Sequence, residues 1–139
     1  MPLGESGRWP DWRHGDEVAV LDQLTWPFVG VLFDVEHNAF WHPDWPTRPD
    51  ALAPALQLAR RELARLPRLP PLFGHRYLSS EPAGAGNPVL SCYQTDVIYY
   101  GTDLLDWFDR EFHARPGERR RMRDVRQVPF WSWIVEDLE

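Results

Sequence analysis

"GNPVLSCYQTDVIYYG", residues 86–101, decides the fold class of this 139-residue chain. Two short runs rich in β-branched and aromatic residues flank the polar bend Gln94-Thr95-Asp96, the pattern of two strands joined by a turn. Leu90 and Cys92 fall on one side of the first run, and Val89, Ser91 and Tyr93 on the other. After the bend, Ile98 and Tyr100 oppose Val97 and Tyr99. Both faces carry apolar side chains, so the pair is expected in the interior of a sheet with helices or loops over each side.

Working outward, "PLFGHRYLSS" (71–80) reads as a strand pair or a bent strand, and "EPAGAGNP" (81–88) as a loop whose Gly and Pro forbid helix. Downstream, "DLLDWFDREFH" (103–113) predicts a helix started by Thr102 or Asp103, with Leu104, Leu105, Phe108 and Phe112 as its buried stripe. Pro116 and Gly117 follow it. A second helix is predicted over 51–66, where Leu52, Leu56, Ala59, Leu63 and Leu66 recur at helical steps. Asp50 is its expected cap, Pro54 fits its first turn and Pro67 stops it. "VPFWSWIVEDLE" (128–139) places Phe130, Ile134 and Leu138 at helical spacing.

Towards the N-terminus, 16–24 predicts a short helix with Val18, Leu21 and Leu24 on one side, and "FVGVLFDV" (28–35) a strand. The prolines of 40–49 predict turns, and residues 1–15 an irregular arm pinned by Trp9 and Trp12. Helices and hairpins mix without regular alternation, which points to one α+β domain, not a doubly wound sheet.

Composition excludes several chemistries. All fifteen basic residues are Arg, so neither a Walker phosphate loop nor a lysine Schiff base can form. The single cysteine, Cys92, rules out an internal disulfide and a cysteine-based zinc site, and suits a reducing compartment. No secretion signal is visible and no apolar run approaches the length of a membrane span, so a cytoplasmic protein without membrane contact is expected. The net charge of −6 is uneven: residues 115–126 hold six Arg against Glu118 and Asp124, or +4, leaving −10 on the rest. A partner attracted to that remainder would be basic, and nucleic acid is not expected.

Individual sites are weak by spacing. Asp34, Glu36, His37, His42 and Asp44 crowd into "DVEHNAFWHPD", but strand alternation sends His37 away from the two acids, and a five-residue step between the histidines does not align helical ligands. A solvated acidic turn is the simpler reading, with no metal. Cys92 could pair with His75 as a nucleophile, yet a mid-strand position favours core packing. A carboxylate pair with Trp41 or Trp45 under a sugar ring would suit a glycan hydrolase, but no pair stands out. "PAGAGNP" lacks the lysine or flanking elements of a phosphate loop. The Arg segment, without interleaved aromatics, reads as a solvated linker or a tie to nearby carboxylates.

The stretch 86–101, followed by "DLLDWFDREF", resembles the SMI1/KNR4 family, also called the SUKH superfamily, and so do "LFGHRYL", "VPFWSWIVED" and "FDVEHNAFWHPDWPTRP". The likeness departs at Cys92, where Val is usual, and at Pro46, where Gly is expected. The resemblance implies an α+β fold with a central, largely antiparallel sheet, no cofactor and no catalysis. It further implies either an immunity protein that occludes a cognate toxin, often a nuclease, or an intracellular scaffold working through protein contacts. By the same resemblance, Gly86, Asn87, Pro88, Gln94, Thr95, Asp96 and Gly101 form a structural signature. Asn87 and Asp96 are expected to fix the turns, and Tyr99 and Tyr100 to bury their rings with hydroxyls paired. Alternatively, Asp96 and Tyr100 border a recognition cleft. With a basic toxin as partner, the expected contact residues are Asp34, Glu36, Trp41, Asp44 and Trp45, joined by Asp96 and Tyr100.

Overall fold

A computed structural model describes residues 9–112 and 125–138. In chain order the elements are α1 (Glu17–His37), α2 (Leu52–Ala64), β1 (Pro71–Phe73), β2 (Arg76–Leu78), β3 (Val89–Tyr93), β4 (Asp96–Gly101), α3 (Leu104–Phe112) and α4 (Trp131–Asp137). The strands form one antiparallel sheet in the order β1-β2-β3-β4. The protein is therefore α+β, with helices packed on a central sheet. Most of the Arg-rich stretch lies outside the described residues; Val125 and Arg126 are within them, and Arg126 donates to Asn87 Oδ1 at 3.4 Å. In the N-terminal arm, Trp9 packs on Phe73, Trp107 and Phe112, whereas Trp12 is 56% exposed.

The sheet's inner face holds the main core. Tyr77, Leu90, Cys92 and Val97 meet Val31 and Val35 of α1, Ala59 and Leu63 of α2, and Trp131 and Ile134 of α4. Asp50 does not cap α2: the N-cap is Ala51, without a side-chain bond, so the first free N–H groups meet no acceptor from that residue. At α3, Asp103 is the cap, accepting from Asp106 N–H at 2.8 Å.

Residues 28–35 are not a strand. They belong to α1, whose buried positions Pro27, Val31, Asp34 and Val35 follow the helical period, and the 16–24 segment is the same helix's beginning. Pro27 has no N–H for the Gln23 carbonyl four residues earlier, a defect that costs about 3 kcal/mol in a helix interior. The Tyr77 hydroxyl, from β2, donates to that carbonyl at 2.8 Å. A sheet side chain thus completes the helix. Joined into 21 residues, α1 is long and apolar enough by composition to span a bilayer, with a mean hydropathy of 1.4 over its most apolar window, contrary to the sequence expectation. Only 22% of that window is buried: Val31 and Val35 pack on the core, while Val18, Leu21, Val29 and Phe33 are exposed.

The α3 stripe is also reversed. Leu104, Leu105, Phe108 and Phe112 are all exposed, while Trp107 and Asp106 are buried. Trp107 turns inward because Gly101 lets the helix backbone reach the end of β4. There Trp107 joins Phe73 and Val89 in a second, smaller core on the sheet's outer face.

Candidate functional site

The bend of the signature is a joint between hairpin and helix. Gln94 adopts a left-handed φ of +55°, and a Cβ on Gly30 would lie 2.8 Å from Gln94 Cα, so only glycine allows this approach of α1 to the turn. Asp34, 4% exposed, accepts from Thr95 N–H at 2.7 Å, from the Thr95 hydroxyl and from Asn38 Nδ2 at 2.6 Å. It anchors the bend and cannot meet a partner, which corrects its assignment as a contact residue. Asp96 does not fix the turn; it is exposed and makes no side-chain bond or ion pair among the described residues. Asn87 does fix its loop, donating to Ser79 O at 3.0 Å and Pro82 O at 2.8 Å. Beside it, Gly86 holds φ +104° and Pro88 is fully buried.

Glu36 and Asp44 are exposed, but Trp41 and Trp45 are half-buried. They pack edge to face at 5.0 Å, Trp45 stacks on Phe130 at 5.9 Å and Trp41 Nε1 donates to Pro46 O at 3.0 Å. These rings close the core margin. His37 is exposed near Glu36, whereas His42 is buried among Trp133, Phe130 and Trp45. Among the described residues no three His, Cys, Asp or Glu side chains converge on a point. Cys92 has no exposure, and burial pushes its thiol pKa up; the His75 ring stacks on Trp26 at 5.0 Å instead.

His42 Nδ1 accepts from Asp44 N–H at 3.1 Å, and burial lowers the imidazole's pKa, opposed by the charge of Asp44. A native pKa below the unfolded value of 6.5 means that this histidine's contribution to stability is complete above that pH and is lost as pH falls through the native value. Urea unfolding should therefore show stability declining below pH 6.5, with a shallower decline in His42→Asn; identical slopes would remove His42 as the cause.

Among the described residues, the outer face of the sheet is only partly covered: Tyr93, Asp96 and Ile98 are exposed there. Strand register places Arg76, Ser91 and Ile98 in one row and Tyr93 beside Asp96 in the next. Trp107 covers only the neighbouring end, near Val89. Arg76 donates through Nη1 to Ser91 Oγ at 2.8 Å, lies 3.8 Å from the Tyr100 ring, and brings Nε within 3.4 Å of Glu111 Oε1 without hydrogen-bond alignment. The flank of α3 that carries Glu111 also carries Leu104 and Phe108, seven and three residues earlier on the helix.

The result is a corner. Its floor is Ile98 and Asp96, with Tyr93 at the far end, where its ring lies 6.0 Å from Trp26 and 6.1 Å from His75; its wall is Leu104 and Phe108, and its vertex the Arg76, Tyr100 and Glu111 group. Tyr93, Ile98, Leu104 and Phe108 are each 45–55% exposed. On the wall's other flank Asp106 accepts from Thr102 N–H and Arg110 Nε, both at 2.8 Å. Burial pushes its carboxyl up, but these partners outweigh it and hold the pKa low. Tyr99, by contrast, faces inward and donates to Glu136 at 2.8 Å; burial, with Glu136, raises its pKa to about 12. Of the sequence-predicted residues, the corner gathers Asp96 and Tyr100. Sequence reasoning missed Arg76, Tyr93, Ile98 and Glu111, and assigned Leu104 and Phe108 to the core. The available signal was the α3 stripe itself, read with the wrong destination.

Comparison of the chain with protein-family models, with curated proteins and with solved structures gives no match.

Proposed function

We propose that the protein is a cytoplasmic immunity-type module that binds a basic toxin and acts by covering it, without chemistry of its own. The observation that carries the protein-binding part is the outward apolar stripe of α3 beside the exposed Ile98 and Tyr93. Contiguous exposed apolar side chains mark contact surfaces in soluble proteins, and aromatic anchors supply much of such binding. The toxin part is supported by the resemblance of residues 86–101 to the SMI1/KNR4 signature and by the −10 charge outside 115–126, which would steer a basic partner. Co-expression with the toxin encoded beside this gene should restore growth and yield a stoichiometric complex. Failure of both rejects the reading.

A further inference from the structure

We infer that the partner's contact point is the corner between α3 and the open part of the sheet, and that its occupant is a short basic segment with alternating apolar side chains. This rests on the protein-binding reading above and names its surface. Ile98 and Phe108 offer apolar area from two directions, with Leu104 and Tyr93 extending it along the wall and floor. Asp96 supplies the charge: it stands exposed beside Tyr93 with no ion pair among the described residues, on a chain that carries −10 outside 115–126. The Arg76 charge does not oppose this, because Glu111 and the Tyr100 ring already engage it in the vertex. A cationic head therefore seats at Asp96, while its apolar neighbours lie between Ile98 and Phe108. An acidic or purely apolar segment lacks half of that match. Trp41 and Trp45 of the 36–45 region are built into the core margin.

The test uses the full chain, isotope-labelled, titrated with the capped peptide Ac-Leu-Lys-Phe-Arg-Leu-Lys-amide. Saturable amide shifts confined to 91–98 and 104–111 support the corner, as does at least a tenfold loss of affinity in Ile98→Glu and in Phe108→Glu with unchanged urea midpoints. If either variant unfolds, Leu104→Ser and Asp96→Asn replace it, the second expected to weaken the salt dependence of binding. Shifts elsewhere, no saturable shifts, or equal binding of Ac-Leu-Glu-Phe-Asp-Leu-Glu-amide overturn the inference. Failure of toxin rescue alongside peptide binding at the corner would reject the immunity reading and keep the surface. A toxin complex indifferent to Ile98→Glu and Phe108→Glu would do the reverse.

Discussion

Gly101→Ala is expected to lower stability by about 3 kcal/mol, the upper part of the usual cost of forcing extra carbon into a packed site. A Cβ there would lie 2.6 Å from both the Cα and the N of Trp107 and 2.7 Å from its Cβ. None of these atoms is the end of a flexible side chain. The joint between β4 and α3 would have to open, carrying Trp107 away from Phe73 and Val89. It would also strain the bonds from Thr102 N–H and hydroxyl to Asp106, because Thr102 is the next residue. The measurement is the urea midpoint, or a fall in Tm of about 10 °C for a domain of this size. A midpoint within experimental error of wild type would show that the helix can lift freely, and with it the wall of the corner.

The second large effect belongs to Asp34. Asp34→Ala should cost about 3 kcal/mol, because it strands the Thr95 N–H and hydroxyl, and an unsatisfied group of this kind costs roughly 1–3 kcal/mol. The carboxylate is 4% exposed and holds the bend against α1 from 61 residues away. Thr95→Val should cost less, and the double variant less than the sum, with a coupling above about 0.5 kcal/mol as expected for residues in direct contact. A partner-contact role would give the opposite result: binding lost and the urea midpoint kept. Glu36→Ala, at an exposed position two residues on, should leave stability within about 0.5 kcal/mol.

Local alternation and turn chemistry made the hairpin readable: β3 and β4 fall where the 86–101 stretch places them. Helix α2 was legible as an element, with Pro67 just beyond its end; of its expected stripe Ala59 and Leu63 are buried, whereas Leu52 is exposed and Ala55 takes the first core position. What local pattern cannot convey is the destination of a face. The α3 stripe was correct as a grouping, yet Trp107 took the core position because Gly101 admits the helix backbone there. In α1 the obstacle was the run of β-branched and aromatic residues over 28–35, which reads locally as a strand, although Pro27 lies inside the helix. The donor that repairs the gap left by Pro27 is Tyr77, 54 residues from Gln23 in sequence. Asp34 was invisible as a structural residue for the same reason, its acceptor role being defined by Thr95. The corner inherits both limits: its floor came from strand register, and its wall from a stripe assumed to point inward.

The Tyr77 hydroxyl on the Gln23 carbonyl has a consequence for autonomy. Excised as a peptide, residues 17–37 would leave that carbonyl to water and the proline gap would fray the helix, while the sheet fragment would turn the Tyr77 phenol and the apolar face around it out to water. Neither piece is self-sufficient, so the N-terminal helix and the hairpins must assemble as one cooperative unit.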